Sequence, residues 1–135
     1  MTALARLLFP LPDVRRSPGT LLLWWERRRP VYNAMVGGAG IITLGVLRML
    51  ELLPPHLGFT VPWQLVVLYG VLANLCYSLG FAFEILLHRL WGEQVLPAGP
   101  VLFRQGLAFS VGLTLLPIMV AWLGWLAQAL RYLAR

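Results

Sequence analysis

The chain has 135 residues with a mean hydropathy of +0.76; 59% of them are hydrophobic and 12% are charged. A soluble domain carries about 25% charged residues because its outer face must be wetted, so this composition excludes an ordinary water-soluble globule. Net charge is +6 and every basic residue is arginine, but no basic recognition helix or aromatic RNA-binding motif accompanies the charge. The expected partner is therefore the lipid bilayer, not nucleic acid.

In chain order, Met1 to Phe9 is a short apolar stretch interrupted by Arg6 and followed by Pro10, Pro12 and Asp13. It lacks a basic n-region, a clean apolar core and a small-residue cleavage site, so it does not read as a cleaved signal peptide. Residues 20–29 pass from three leucines through Trp24 and Trp25 to Glu26, Arg27, Arg28 and Arg29. The apolar part is too short to cross a bilayer and is expected to lie in the interface, tryptophans at headgroup level and arginines on anionic lipid. Residues 1–29 are thus expected to form a cytoplasmic, interfacial segment ahead of a transmembrane domain at 30–135.

Pro30 suits a first helical turn, where its missing N–H costs nothing, and starts a span at about 31–53 that Pro54 and Pro55 end. A short connection predicts that the second helix, 62–91, returns as an antiparallel neighbour of the first. Trp63 and Trp91 lie ~42 Å apart at helical rise, close to the full thickness of a bilayer with its headgroups, so they are expected to mark opposite interfaces. Pro97, Gly99 and Pro100 break the chain again. The last run, 101–133, has no turn cluster at its middle and too few residues for two full spans, which need about 40. It is expected to be one helix kinked at Pro117, with Trp125 at the far interface. The fold class is an all-α, three-helix membrane bundle.

Arginine counts set the orientation. The amino-terminal flank has six of the 11 arginines, the first interhelical loop has none, and the second is flanked by Arg89 and Arg104. This predicts a cytoplasmic amino terminus in a bacterial inner membrane. Arg131 and Arg135 at the far end run weakly against the rule.

Ionisable residues inside a span are costly and point to function by default. Glu84 is the main one. Asn74, Tyr77, Phe81, Glu84, His88 and Trp91 follow helical spacing and share one face. The topology sets Tyr32 and Asn33, and also Arg104 and Gln105, near the depth of His88. Glu84 is thus expected to pair with His88 or Arg104 and to accept hydrogen bonds from Tyr32 or Asn33. This cluster reads either as a proton or cation site or, twice as well, as an interhelical polar clamp, because a transport site needs more ligands than one carboxylate. Small residues recur every four on each span: Ala34 and Gly38 continued by Gly45; Gly70, Asn74 and Ser78; Gly106, Ser110 and Thr114. Such spacing lets helices approach closely, within the chain or against a second one.

The single Cys76 excludes a disulfide framework. No metal, cofactor or catalytic constellation is expected, since nucleophile-elbow, zinc and phosphate-loop motifs are all missing. The run from Trp24 to Asn33, together with Asn74, Leu75, Cys76, Tyr77 and Glu84, resembles a loose group of small uncharacterised bacterial integral membrane proteins. The resemblance covers most of residues 22–116 and implies weight on Tyr32, Asn33, Asn74, Tyr77 and Glu84, but no activity. The expected role is a non-enzymatic accessory or scaffold subunit in a homo-oligomer or larger membrane complex. The alternatives are an oligomeric channel or proton-coupled transporter using Glu84 and His88, and a membrane-disrupting effector.

Overall fold

A computed structural model describes residues 18–56, 58, 60–91 and 98–134. The readings of residues 1–17 and of 92–97 lie outside the described residues. The described chain forms four helices: α1 (Pro18–Glu26), α2 (Arg29–Leu52), α3 (Trp63–Trp91) and α4 (Ala98–Leu133). Among the described residues Gly19–Leu52, Trp63–Trp91 and Gly99–Leu133 are long and apolar enough to cross a membrane. The helix starts follow local chemistry. Pro30 occupies the first turn of α2, where φ is preset and no N–H is needed. Pro100 sits equally well in the first turn of α4, so the expected 92–100 loop already becomes helix at Ala98. Pro54 and Pro55 follow the end of α2. Pro117 lies inside α4 without ending it, as the sequence predicts.

α3 runs antiparallel to α4, for Tyr69 meets Thr114 while Glu84 meets Gly99. α2 runs parallel to α4, with Tyr32 bonded to Ser110 and Thr43 to Thr114. The main partner of α2 is α4, and α3, the return helix, touches α2 much less. The buried positions explain this arrangement. On α2 they are Tyr32, Val36, Ala39, Thr43 and Leu50, a heptad-like stripe that packs into a neighbour at a shallow crossing angle. The glycines expected to do this lie elsewhere. A methyl group added at Gly38, Gly45, Gly70 or Gly106 would meet nothing within 4 Å, and Ala34 is exposed. These four glycines have open space beside them. Closer neighbours stand at Gly80, against the Trp25 ring, and at Gly99, against the Glu84 carboxylate, while Gly40 makes an ordinary contact with the Thr114 methyl.

α1 packs on α3 and α2. Trp25 is 2% exposed and stands at the centre of a core with Tyr32, Val36, Ala73, Tyr77 and Phe103. A turn at Arg27 and Arg28 joins α1 to α2, and the Trp25 ring lies against Gly80. Trp24 is half-buried beside it, edge-on to Phe103. Of the other expected interfacial residues, Trp63 and Trp91 are exposed at the two ends of α3 and Arg27 is exposed, while Trp125 is half-buried and stacks edge-on with Trp122.

Outside this core the surface is apolar: Ile41 is 75% exposed and Phe109 71%, as for helices solvated by lipid and not by water. The core is tied by hydroxyls. Tyr32 Oη donates to the Ala73 carbonyl at 3.1 Å and can then accept from Ser110 Oγ at 2.9 Å. Tyr69 Oη meets Thr114 Oγ1 at 2.6 Å, and Thr43 Oγ1 donates to the Thr114 carbonyl at 2.8 Å. Pro117 removes the N–H that would meet the Leu113 carbonyl, and the Thr43 bond goes to the neighbouring Thr114 carbonyl. Tyr32→Phe keeps the ring and removes two bonds. It is expected to cost about 1 kcal/mol, read by reversible unfolding in mixed micelles, with the helical circular dichroism of the folded state unchanged.

Candidate functional site

The polar centre forms around Glu84, where α1, α3 and the start of α4 converge. Glu84 is 7% exposed. Trp25 Nε1 donates to its Oε2 at 2.5 Å, and the Gly99 backbone N–H donates to Oε1 at 2.9 Å. Gly99 belongs to the first turn of a 36-residue helix, whose end presents unsatisfied N–H groups and a partial positive charge. A carboxylate there is electrostatically favoured, and the indole N–H completes the coordination. Each oxygen thus has one directed donor. The carboxylate has no room for a side chain opposite, because a Cβ at Gly99 would lie 2.6 Å from both oxygens.

Two helical turns away, Tyr77 is buried and donates to the Trp25 carbonyl at 2.5 Å, with the Trp25 and Tyr77 rings edge-on at 5.2 Å. Trp25 is therefore held at both its backbone and its indole. Arg28, 4% exposed, lies over the Trp24 ring at 3.7 Å and donates to the Trp24 carbonyl at 3.0 Å. It was expected on lipid headgroups; the turn between α1 and α2 folds it onto its own chain instead. Arg29 pairs with Glu26 at 2.7 Å and reaches Ser78 Oγ at 3.4 Å.

The structure thus divides the expected cluster. Tyr77 and Glu84 share the core, and Tyr32 joins them through the Tyr77 ring, with centroids 4.8 Å apart. Tyr32 does not reach Glu84, however, and Asn33 is exposed. Counting depth from residue 30 failed because α1 occupies the level beside Glu84 and sets Tyr32 against Ala73, nearly three turns along α3. Arg104 and Gln105 are exposed on α4, and His88 is half-buried one turn from Glu84. Trp25 and Gly99 hold the Glu84 oxygens in place of the expected His88, Arg104, Tyr32 or Asn33. Asn74 is half-buried and donates to the Gly70 carbonyl, and Ser78 donates to the Asn74 carbonyl. Ser110 and Thr114 are buried and hydrogen-bonded.

Among the described residues no group of three or more His, Cys, Asp or Glu could hold a metal ion. The arrangement around Glu84 is chemically a clamp: an acceptor pair closed by two donors, lined by aromatic rings. Comparison with protein-family models, curated proteins and solved structures gave no match.

The clamp predicts a reversal of sign. Gly→Ala inside a helix ordinarily stabilises by about 0.5–1 kcal/mol, and Gly106→Ala and Gly112→Ala, which have open space around them, should follow that rule. Gly99→Ala must displace the carboxylate and should instead destabilise by about 1–3 kcal/mol. Unfolding curves of the three variants in one detergent read the difference directly.

Proposed function

We propose that this chain is a three-span integral membrane protein that serves as a non-enzymatic accessory subunit, docking further helices on the outer face of α2. The observation that carries this reading is the face itself: Ala34, Gly38 and Gly45 recur at helical spacing with nothing against the two glycines. Smooth faces of this kind admit a second helix at close range, where packing and not hydrophobicity drives association in lipid.

The placement in the membrane is part of the proposal. Arg29 and Arg48 on α2 stand about 28 Å apart at helical rise, and Arg104 and Trp125 on α4 about 31 Å, each matching a hydrocarbon slab of ~30 Å. The ring of Arg27, Arg29 and Arg104 then marks one interface, on the cytoplasmic side by the arginine rule. A bacterial inner membrane fits the resemblance of the sequence. Beyond that ring α1 and the end of α3 expose Leu22, Leu23, Phe83, Leu86 and Leu90, apolar groups that a partner subunit would cover. A transporter role for Glu84 has less support, because both of its oxygens are closed by internal donors and His88 is not among them.

Replacing Ala34 and Gly38 together by leucine should leave the helical content unchanged and lower the assembled fraction about tenfold, the effect of ~1.4 kcal/mol. Cross-linking in native membranes followed by native electrophoresis measures it. Unchanged assembly would remove the basis for the α2 docking face.

A further inference from the structure

A groove of ≈ 520 Å³ runs along the outside of α3, lined by Val67, Gly70, Val71, Asn74, Leu75 and Ser78 and headed by Arg29. We infer that this groove binds one anionic phospholipid, its phosphate on Arg29 and one acyl chain along α3. The inference rests on the membrane placement proposed above and is independent of the α2 docking face.

The one charged residue lining the groove is Arg29, which pairs with Glu26 through Nη2 at 2.7 Å. Arg29 uses Nη2 for both Glu26 and Ser78, while its Nε is enclosed and has no hydrogen-bond partner among the described residues. A buried unmet donor of this kind points to a missing acceptor, and a small shift of the guanidinium toward the groove would give a phosphate oxygen its two-pronged contact. Basic sites between membrane helices at the cytoplasmic side have this chemistry.

Below the arginine the groove changes character as a lipid does. Asn74 lies one turn further along, spends one amide proton on the Gly70 carbonyl, and has a second at the level of the glycerol esters. Beyond it the floor is Gly70, where an added methyl group would meet nothing, flanked by Val67 and Val71. From Ser78 to Val67 the groove extends about 16 Å along the helix, the depth of one leaflet, half of ~30 Å. A peptide or a free phosphate would use only part of this sequence of charge, amide and apolar floor.

The test reconstitutes the full chain in nanodiscs holding equal amounts of phosphatidylcholine and phosphatidylglycerol, releases it into mild detergent and counts retained lipid by native mass spectrometry. The expected result is one phosphatidylglycerol per chain, retained in preference to phosphatidylcholine. Arg29→Gln should lower that retention about fivefold, the worth of one arginine at a membrane surface. Gly70→Leu, which fills the groove, should abolish it, and Arg131→Gln should leave it unchanged. Asn74→Val leaves Arg29 in place and should also weaken retention, so the test stands if Arg29→Gln does not fold. Equal retention of the two lipids, or full retention by Gly70→Leu, would overturn the inference. So would a lipid-free dimer that Gly70→Leu splits, which would make a second copy the occupant. Failure of the chain to enter nanodiscs would instead refute the membrane placement and this inference with it.

Discussion

The arrangement depends on one buried carboxylate. A buried ion costs several kcal/mol unless its lone pairs are met by well-placed donors. Glu84 is met by the Trp25 indole and the Gly99 amide, and those donors come from the two elements that have least reason to be there otherwise. α1 is only 9 residues long, too short to hold a helix in isolation. The start of α4 precedes its strongly apolar stretch. The need to satisfy Glu84 draws both onto α3, and Tyr77 holds the backbone of Trp25 as the indole is held.

From that point the bundle is organised along its length. Past the Glu84 clamp comes an aromatic layer of Trp25, Tyr77 and Phe103, then Tyr32 with Ser110, then Tyr69 and Thr43 with Thr114. Each layer joins α4 to at least one other helix by a hydrogen bond or a ring contact. In a hydrocarbon environment helices gain nothing from hiding apolar surface from one another, so register must come from such directional bonds and from close packing. The outward faces carry the apolar bulk, which lipid can solvate, and the glycine patches, which it cannot fill as closely as a helix can.

Much of this frame was legible in the sequence. The spans, their proline boundaries and the continuity of α4 through Pro117 follow from composition and from the tolerance of helices for proline in a first turn. Glu84 stood out as an ionisable residue in an apolar helix, and its two bonds tie α3 to α1 and α4. Its partners were hidden for physical reasons. Tryptophans followed by arginines describe an interfacial anchor and a buried indole equally well. Gly99, between Pro97 and Pro100, looks like a loop until the helix is seen to begin at Ala98. The packing stripe Tyr32, Val36, Ala39, Thr43 was masked because its neighbours are just as apolar. With no polar contrast around the helix, the glycine repeat was the more visible signal, and it marked the outer face.

The central claim is that Trp25 and Glu84 are energetically one unit, and a double-mutant cycle tests it most directly. Trp25→Phe removes the donor, and Glu84→Gln offers an amide N–H to one of two facing donors. If the indole closes the carboxylate, each change alone is costly, while in the Trp25→Phe background the glutamine amide no longer opposes an N–H. Reversible unfolding should then give a coupling of about 1–2 kcal/mol. Additive effects, with a coupling near zero, would contradict the account and leave Glu84 without its part in holding α1 to the bundle.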